Sequence, residues 1–425
     1  MMSTRRLPAW VAAATVGAIT LAACGGEASG DGSEEVQLRY SWWGSDERAQ
    51  ITEELIEAFE EEHPHISVEG EYGDWDGYWD QLATQTAAQD APDVIQMDEM
   101  YIREYADRGA LLELTDVDVS NFDEVSVANG STEDGLFGIS SGNNSLIMVA
   151  NPDLFDEAGV ELPDDTTWTW EDYAEISQEL SEGLEDGYGS ASPTLPGAFQ
   201  AWLRQDGKNL TTEDGELGFE AEDLAAYFEA HLEMEDDGGF IPAELVSETQ
   251  AIGLDQTLIA TNDAALGVRW SNELPSLINA SGSELVPLRM PSQTGEAADA
   301  GLWYKSSQLM TASAYTDHPE EAQLFIDWVS NSEEAGLINL AERGLSANSE
   351  ILELILPELD EGDRLSADFL MEIEDEIGEP EPVPPPGFGG VQDIFYRYEL
   401  EVLFERQSPE DAAEALMDEV DGALG

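Results

Sequence analysis

Apolar and polar positions recur along this chain with two different periods. Residues 36–40 (Val-Gln-Leu-Arg-Tyr) alternate as a strand does, whereas residues 48–62 carry Ile51, Leu55, Ile56 and Phe59 at helical spacing with acids on the other face. Pro64 stops that helix; residues 66–70 predict a second strand, 79–88 a second helix and 93–97 a third strand. This β-α-β-α-β start predicts an α/β fold with largely parallel sheets. Open sheets of this kind bind ligands beyond the carboxyl ends of their strands, which singles out residues 42–46 and 97–100. A second block opens with a strand at 146–150, a short helix at 152–158 and an amphipathic helix at 170–180 carrying Trp170, Tyr173, Ile176 and Leu180. Later helices are predicted at 221–233, 319–329 and 409–424, the last capped by Ser408 with Pro409 at its first position. The proline-rich run at 380–390 cannot be helical and is the main irregular stretch.

The first two dozen residues are an address rather than part of the fold. Arg5 and Arg6 precede a modestly apolar run at 7–21, which is shorter than the about 20 apolar residues that cross a bilayer. Residues 1–23 therefore read as a cleaved signal. Leu21-Ala22-Ala23-Cys24 resembles the lipobox of prokaryotic lipoproteins, which implies a mature chain held at the extracellular face of the membrane by a lipid on Cys24. Thr4-Arg5-Arg6 also resembles a twin-arginine export signal, so both export routes stay open. Residues 24–35, small and polar, form a flexible tether. The remainder exceeds the roughly 250–300 residues at which a single core stops growing, and two lobes are expected.

Charge changes the picture mainly by exclusion. The chain has 93 acidic and 15 basic residues, a formal net charge of −78, and only two lysines, Lys208 and Lys305. The acids are interleaved with apolar residues, and 11 Trp, 12 Tyr and 13 Phe supply more burial than a disordered chain carries. Such self-repulsion is tolerable where salt shortens the screening length to about 3 Å at 1 M, which points to a saline, halophilic setting. Nucleic acid is excluded as a partner, since nothing basic is available to meet phosphate. The lone cysteine excludes a disulfide framework and a cysteine-based zinc site. His63 and His65 fit a helix end around Pro64, and residues 116–120 lack the glycine and glutamate of a calcium loop. No metal or other cofactor is expected.

Three separated segments carry a family resemblance. Residues 146–155 (Leu-Ile-Met-Val-Ala-Asn-Pro-Asp-Leu-Phe), with Ala158-Gly159-Val160 and 167–173 (Thr-Trp-Thr-Trp-Glu-Asp-Tyr), form the first; 264–272 (Ala-Ala-Leu-Gly-Val-Arg-Trp-Ser-Asn) the second. The third is 318–322 with Phe325, Ile326 and Trp328, followed by 343–348 (Arg-Gly-Leu-Ser-Ala-Asn). In this order they resemble the maltose-binding-protein-like sugar-binding proteins of ABC importers. The resemblance implies a two-lobed, periplasmic-binding-protein-like (type II) α/β fold with a hinge and an interlobe cleft. The crossings are expected near 140–145, 286–291 and 310–314, with lobe 1 at 36–142 plus 286–312 and lobe 2 at 143–285 plus 313–425. It further implies a monomeric extracellular protein that captures a sugar or oligosaccharide by hinge closure and delivers it to ABC permease subunits. Asn143-Asn144 stands where the family has an acid at the first crossing, and Met97 where an aromatic is expected, so maltose itself is not implied.

A pyranose has an apolar face and a rim of hydroxyls, so its site needs an aromatic platform beside in-plane hydrogen-bonding groups. Trp42, Trp43, Trp270, Trp303 and Tyr304 are the candidate platforms; Asp46, Asp98, Glu99, Asn143, Asn144 and Asn272 are the candidate polar partners, with Gln308 nearby. Trp42 and Trp43 point to opposite faces of one strand, so one belongs to the core and the other to the cleft. Trp270 is either core or cleft, and its neighbours Arg269, Ser271 and Asn272 favour the cleft. Trp75, Tyr78 and Trp79 either line a rim or pack beneath a loop, and Arg343 either touches ligand or caps a helix. Peptides and polyamines are the alternative ligands for the same architecture. Two enzyme readings are weaker. Residues 138–142 (Gly-Ile-Ser-Ser-Gly) match a nucleophile pattern but lead into an extended apolar strand instead of a helix. A secreted glycoside hydrolase needs a carboxylate pair about 5–9.5 Å apart, and no segment singles one out. No catalytic residue is assigned.

Overall fold

The computed structural model describes residues 35–44, 46–191, 196–249 and 252–424. The leader at 1–23, Cys24 and nearly all of the tether at 24–35 lie outside the described residues.

The predicted alternation is realised at the start of the chain: β1 (Val36–Trp43), α1 (Asp46–Glu62), β2 (Ile66–Gly73), α2 (Trp75–Ala87), β3 (Val94–Met97) and α3 (Glu99–Asp107). β1 pairs in parallel with β2, Val36 opposite Ile66, and with β3, Tyr40 opposite Val94. α2 begins four residues before its predicted start because Asp74 caps it, its Oδ1 accepting from Gly77 N at 2.9 Å. Asp98 caps α3 in the same way, accepting from Met100 N at 3.0 Å.

Two sheets result. The first has the order β2, β1, β3, Leu309–Ala312, Gly138–Ser140; the second has the order Val286–Leu288, Leu146–Ala150, Ala264–Trp270, Tyr188–Ser190. The expectation of largely parallel sheets needs correction. Leu309–Ala312 runs antiparallel to both of its neighbours, and in the second sheet only the pairing of Ala264–Trp270 with Tyr188–Ser190 is parallel. A strand that arrives by crossing from the other sheet enters from the opposite end to one delivered by a β-α-β crossover, and its direction is reversed.

The lobe boundaries differ as well. Strand pairing divides 286–312, expected in lobe 1 as a block: Val286–Leu288 joins the second sheet and Leu309–Ala312 the first. Helix Pro319–Asn331, expected in lobe 2, packs on the first sheet, with Phe325 and Trp328 at 4.9 and 5.6 Å from Phe59. The chain passes between the sheets at 141–145 and 305–308, and a third time at 356–360, because helix Ser349–Ile355 stays with the first lobe, Ser349 N donating to Asn121 O at 2.9 Å and Asn348 Nδ2 to Asn331 Oδ1 at 2.7 Å, whereas Glu361–Glu372 packs beside Leu274–Ser281 in the second. Lys305 pairs with Asn144, Asn143 N donates to Leu345 O at 2.7 Å, and Ser307 N donates to Gly142 O at 2.8 Å.

Each sheet has its own core. Leu38, Tyr40 and Trp42 project from one face of β1 onto Phe59 and Phe325. In the second sheet Leu146–Ala150 is fully buried, a continuous apolar run covered on both faces, and packs with Tyr173, Phe199, Tyr227 and Phe228. The helices around it end as their sequence signals require. Asn151 caps Pro152–Ala158 and left-handed Gly159 closes it, a Thr169–Asp172 capping box starts Trp170–Gly183, and Ser408 Oγ accepts from Asp411 N at 3.1 Å.

Candidate functional site

The end of β1 decides which tryptophan meets solvent. Trp42 shares a face with Leu38 and Tyr40 and is 1% exposed, its ring stacked on Tyr72 at 5.9 Å. Gly70 on the adjacent strand makes room for it, since a Cβ there would sit 2.6 Å from Trp42 Cη2. Trp43 points the other way and meets Trp75 edge-on at 5.1 Å, with Tyr78 and Trp79 behind. Trp43 and Trp75, together with Asp98, Glu99 and Met100 beyond the end of β3, form the first-lobe wall of a cavity of about 430 Å³. These are the strand ends at which an open α/β sheet presents a ligand site.

The second-lobe wall is built around two more indoles. Trp270 ends its strand, and its ring stands perpendicular to Trp303 at 5.8 Å. Its backbone N donates to Glu273 Oε2 at 3.0 Å, which fixes the short turn carrying Asn272. Gly197 lies beneath the ring, where a Cβ would be 3.0 Å from Trp270 Cζ2. The stretch at 380–390 completes this wall with Glu381, Pro384 and Phe388, followed by Gln392; contrary to the expectation of no helix, it ends in a single 3-10 turn, Phe388–Gly390, beyond its prolines. It also reaches the first lobe: Arg103 Nη1 on α3 donates to Val383 O at 3.4 Å, and Gly387 N donates to Glu104 Oε2 at 3.4 Å. Asn144 and Lys305 line the cavity from the crossing segments.

The electrostatics centre on Lys305, whose ammonium lies 3.5 Å from Asp98 Oδ2, 3.6 Å from Glu99 Oε2 and 5.9 Å above the Trp270 ring. Burial pulls this amine down, but Asp98, Glu99 and Glu381 outweigh it, so it is held above its ordinary value and stays charged. Burial pushes the Glu99 carboxyl up to about 7; Lys305 opposes the rise, while Glu381 and Asp98 add to it. Glu381 and Glu273 are also raised, again chiefly by burial.

Glu99 gives a pH prediction. A carboxyl raised in the fold binds more protons in the native than in the unfolded chain between its ordinary 4.5 and about 7, so its contribution to stability falls as pH rises through that window. Glu99→Gln removes the fall. Relative to the parent, the variant should gain roughly 2–3 kcal/mol between pH 4.5 and 7 in urea unfolding at fixed salt. A constant difference across that range would contradict the assignment.

Of the residues selected from sequence, Trp43, Asp98, Glu99, Asn144, Trp270, Asn272 and Trp303 come together at this cavity. The others do not. Trp42 is core, and Asp46 is exposed at the start of α1, accepting from Tyr72 OH at 3.2 Å. Asn143 turns away, its Nδ2 donating to Ser126 Oγ at 2.8 Å. Tyr304 faces a separate cavity and donates to Leu370 O at 3.1 Å. Arg343, 2% exposed, donates to Asn339 Oδ1 at 3.0 Å and Thr52 Oγ1 at 2.7 Å, and so ties the end of helix Glu333–Asn339 to α1. Within the aromatic cluster of α2 only Trp75, 38% exposed, reaches the cavity; Tyr78 and Trp79 pack behind Trp43. Sequence reasoning missed Lys305, Glu273, Glu381, Phe388 and Gln392. For Lys305 there was a signal, because a chain with two lysines that places one beside Trp303-Tyr304 has set it apart.

A larger groove of about 770 Å³ runs between Leu274–Ser281 and Glu361–Glu372, but no aromatic ring lines it and it belongs to the second lobe alone. Ser140, the centre of the nucleophile-like pattern, sits within a strand, and its hydroxyl donates to Gly142 O at 2.9 Å. Among the described residues no group of three His, Cys, Asp or Glu is arranged to hold a metal.

Two α/β lobes joined by three passages, with an aromatic cavity between them, make up the architecture of a solute-binding protein. The chain belongs to the bacterial extracellular solute-binding proteins, whose family model matches residues 43–336. An uncharacterized lipoprotein from the oleD 5′ region of Streptomyces antibioticus is 26% identical over 337 residues, 73% of this chain and 70% of that protein. Among solved structures, an oligogalacturonide-binding protein of Yersinia enterocolitica in complex with saturated digalacturonic acid superposes with a TM-score of 0.78 at 22% identity, covering 92% of this chain and 99% of that one. A substrate-binding protein of Listeria monocytogenes in complex with cycloalternan gives 0.76 at 21%, covering 92% and 100%.

Proposed function

We propose that this protein is the substrate-binding component of an ABC importer, that it captures a sugar or short oligosaccharide in the cleft between its lobes, and that it delivers this ligand to permease subunits. The observation that carries the reading is the convergence of Trp43, Trp75, Trp270 and Trp303 on one cavity of about 430 Å³, interleaved with Asp98, Glu99, Asn144 and Asn272. Indoles stack on the apolar face of a pyranose, and the amide and carboxylate groups meet its hydroxyls. The volume falls within the ~300–1,000 Å³ of small-molecule sites. The saccharides held by the similar Yersinia and Listeria proteins support the ligand class.

Hinge closure brings the Trp43 wall toward the Trp270 wall around the ligand. Residues 305–308 and 356–360 serve as hinge segments beside 141–145. The protein acts as a monomer and a binder, not an enzyme, and the acid-rich surface suits a saline medium. It is exported behind residues 1–23, by a twin-arginine or a general secretory route, and held at the extracellular face by a lipid on Cys24. The similarity to a Streptomyces lipoprotein supports that anchor.

Thermal-shift screening of the mature chain at high salt tests the proposal against mono- and oligosaccharides, amino acids, peptides and polyamines. A saccharide at 100 times its dissociation constant should add about 2.7 kcal/mol. Stabilisation by peptides or polyamines with none by any saccharide would overturn it.

A further inference from the structure

We infer that the saccharide this cleft selects carries a protonated amine. The inference rests on the reading of the cleft as a carbohydrate site and names the ligand's chemistry within it. Four carboxylates line the cavity, Asp98 and Glu99 on one wall and Glu273 and Glu381 on the other, and Lys305 is the one basic side chain among the lining residues. That ammonium is already engaged by the first-lobe pair at 3.5 and 3.6 Å.

Glu273 and Glu381 have no such partner and form no ion pair among the described residues. Glu273 accepts only from Trp270 N. Arg269 acts on it from a distance, as Arg204 and Lys305 act on Glu381. Trp303, 1% exposed, turns its Nε1 toward Glu381 at a geometry short of a formed hydrogen bond, which leaves an indole donor beside a carboxylate, both at the cavity wall. The net charge of −78 does not account for this placement, because surface acids are balanced by water and salt whereas acids inside a closing cleft lose both. Burial has already raised both carboxyls, as unpaired negative charge requires.

A neutral ligand would offset that desolvation through hydroxyl donors alone and leave the negative charge unmatched, and an anionic one would add like-charge repulsion. An ammonium on the sugar meets Glu273 or Glu381 in a charge-assisted hydrogen bond and lies against the half-buried Trp270 ring. The protein's own Lys305 occupies a comparable setting, with two carboxylates beside it and the Trp270 ring centroid 5.9 Å away.

Isothermal titration of the mature chain at pH 6 tests the inference with four probes: glucosamine oligosaccharides, their N-acetylated counterparts, galacturonic acid oligosaccharides and spermidine. The amine-bearing sugar should bind at least tenfold more tightly than its acetylated isostere, about 1.4 kcal/mol, and the acidic sugar most weakly. In Glu273→Gln/Glu381→Gln that ratio should fall to near one. Equal or tighter binding of the neutral or acidic sugar overturns the inference and leaves the carbohydrate assignment standing. Binding of spermidine with no saccharide bound, or no binding at all, overturns both.

Discussion

Trp270→Ala should weaken saccharide binding by about 30- to 150-fold, the ~2–3 kcal/mol expected when a central aromatic anchor of an interface is truncated. In the proposed reading this ring is the second-lobe platform; it stands perpendicular to Trp303 at 5.8 Å and over Gly197, where a Cβ would be 3.0 Å from its Cζ2. Trp42→Ala, an equal loss of indole 1% exposed in the first-lobe core, should act differently: about 3–5 kcal/mol of stability lost, with affinity kept in the molecules that remain folded. Titration calorimetry and urea unfolding on both variants check the contrast. Similar affinity losses for the two would mean that Trp270 is packing instead of platform.

The second large effect belongs to Lys305→Met. Removing this ammonium leaves Asp98 and Glu99 facing each other and Glu381 across a cavity with no other lining cation. Breaking a buried pair costs ~3–5 kcal/mol, and with about a fifth of the Lys305 side chain still exposed the loss here should be about 2–3 kcal/mol at pH 8. The sign of its pH dependence follows from Glu99, which takes up a proton below about 7 and then needs no counter-charge. The loss should therefore shrink as pH falls to 5. Unfolding midpoints measured at both pH values decide the matter, and a deficit that is the same at each would separate Lys305 from these carboxylates.

Much of this architecture was legible because it is written in long periodic segments. The β1 to α3 region alternates clearly enough to place the strand ends, and the rule that ligands sit beyond those ends led directly to Trp43, Asp98 and Glu99. Which of Trp42 and Trp43 faced the cleft was not legible, because alternation says only that they differ. The choice is made by Gly70, a residue on another strand that leaves space for one indole. The split of 286–312 escaped for a related reason: Val286–Leu288 and Leu309–Ala312 are three and four residues long, too short for a period to show, and their sheet is set by pairing partners far away in sequence.

The acidic second-lobe wall was hidden in two ways. Glu381 and Phe388 come from a proline-rich run without periodicity, which from sequence has only the negative property of not being a helix. Among 93 acids no single glutamate stands out until its burial does. Asn143 is a candidate ligand group by its place at a crossing, yet its side chain bonds Ser126, and of the two roles open to Arg343 its bonds to Asn339 and Thr52 are those of a helix-end tie. A residue type near a hinge indicates the neighbourhood, and only the direction of its side chain tells ligand contact from scaffold.

The most direct test is a crystal structure of the mature chain with the tightest-binding saccharide from the screen. The account predicts a sugar ring against Trp270, a second contact with Trp43 or Trp75 from the opposite wall, and hydroxyl hydrogen bonds to Asp98, Glu99 or Asn144. A saccharide bound in the groove between Leu274–Ser281 and Glu361–Glu372, with the cavity of four indoles empty, would contradict it.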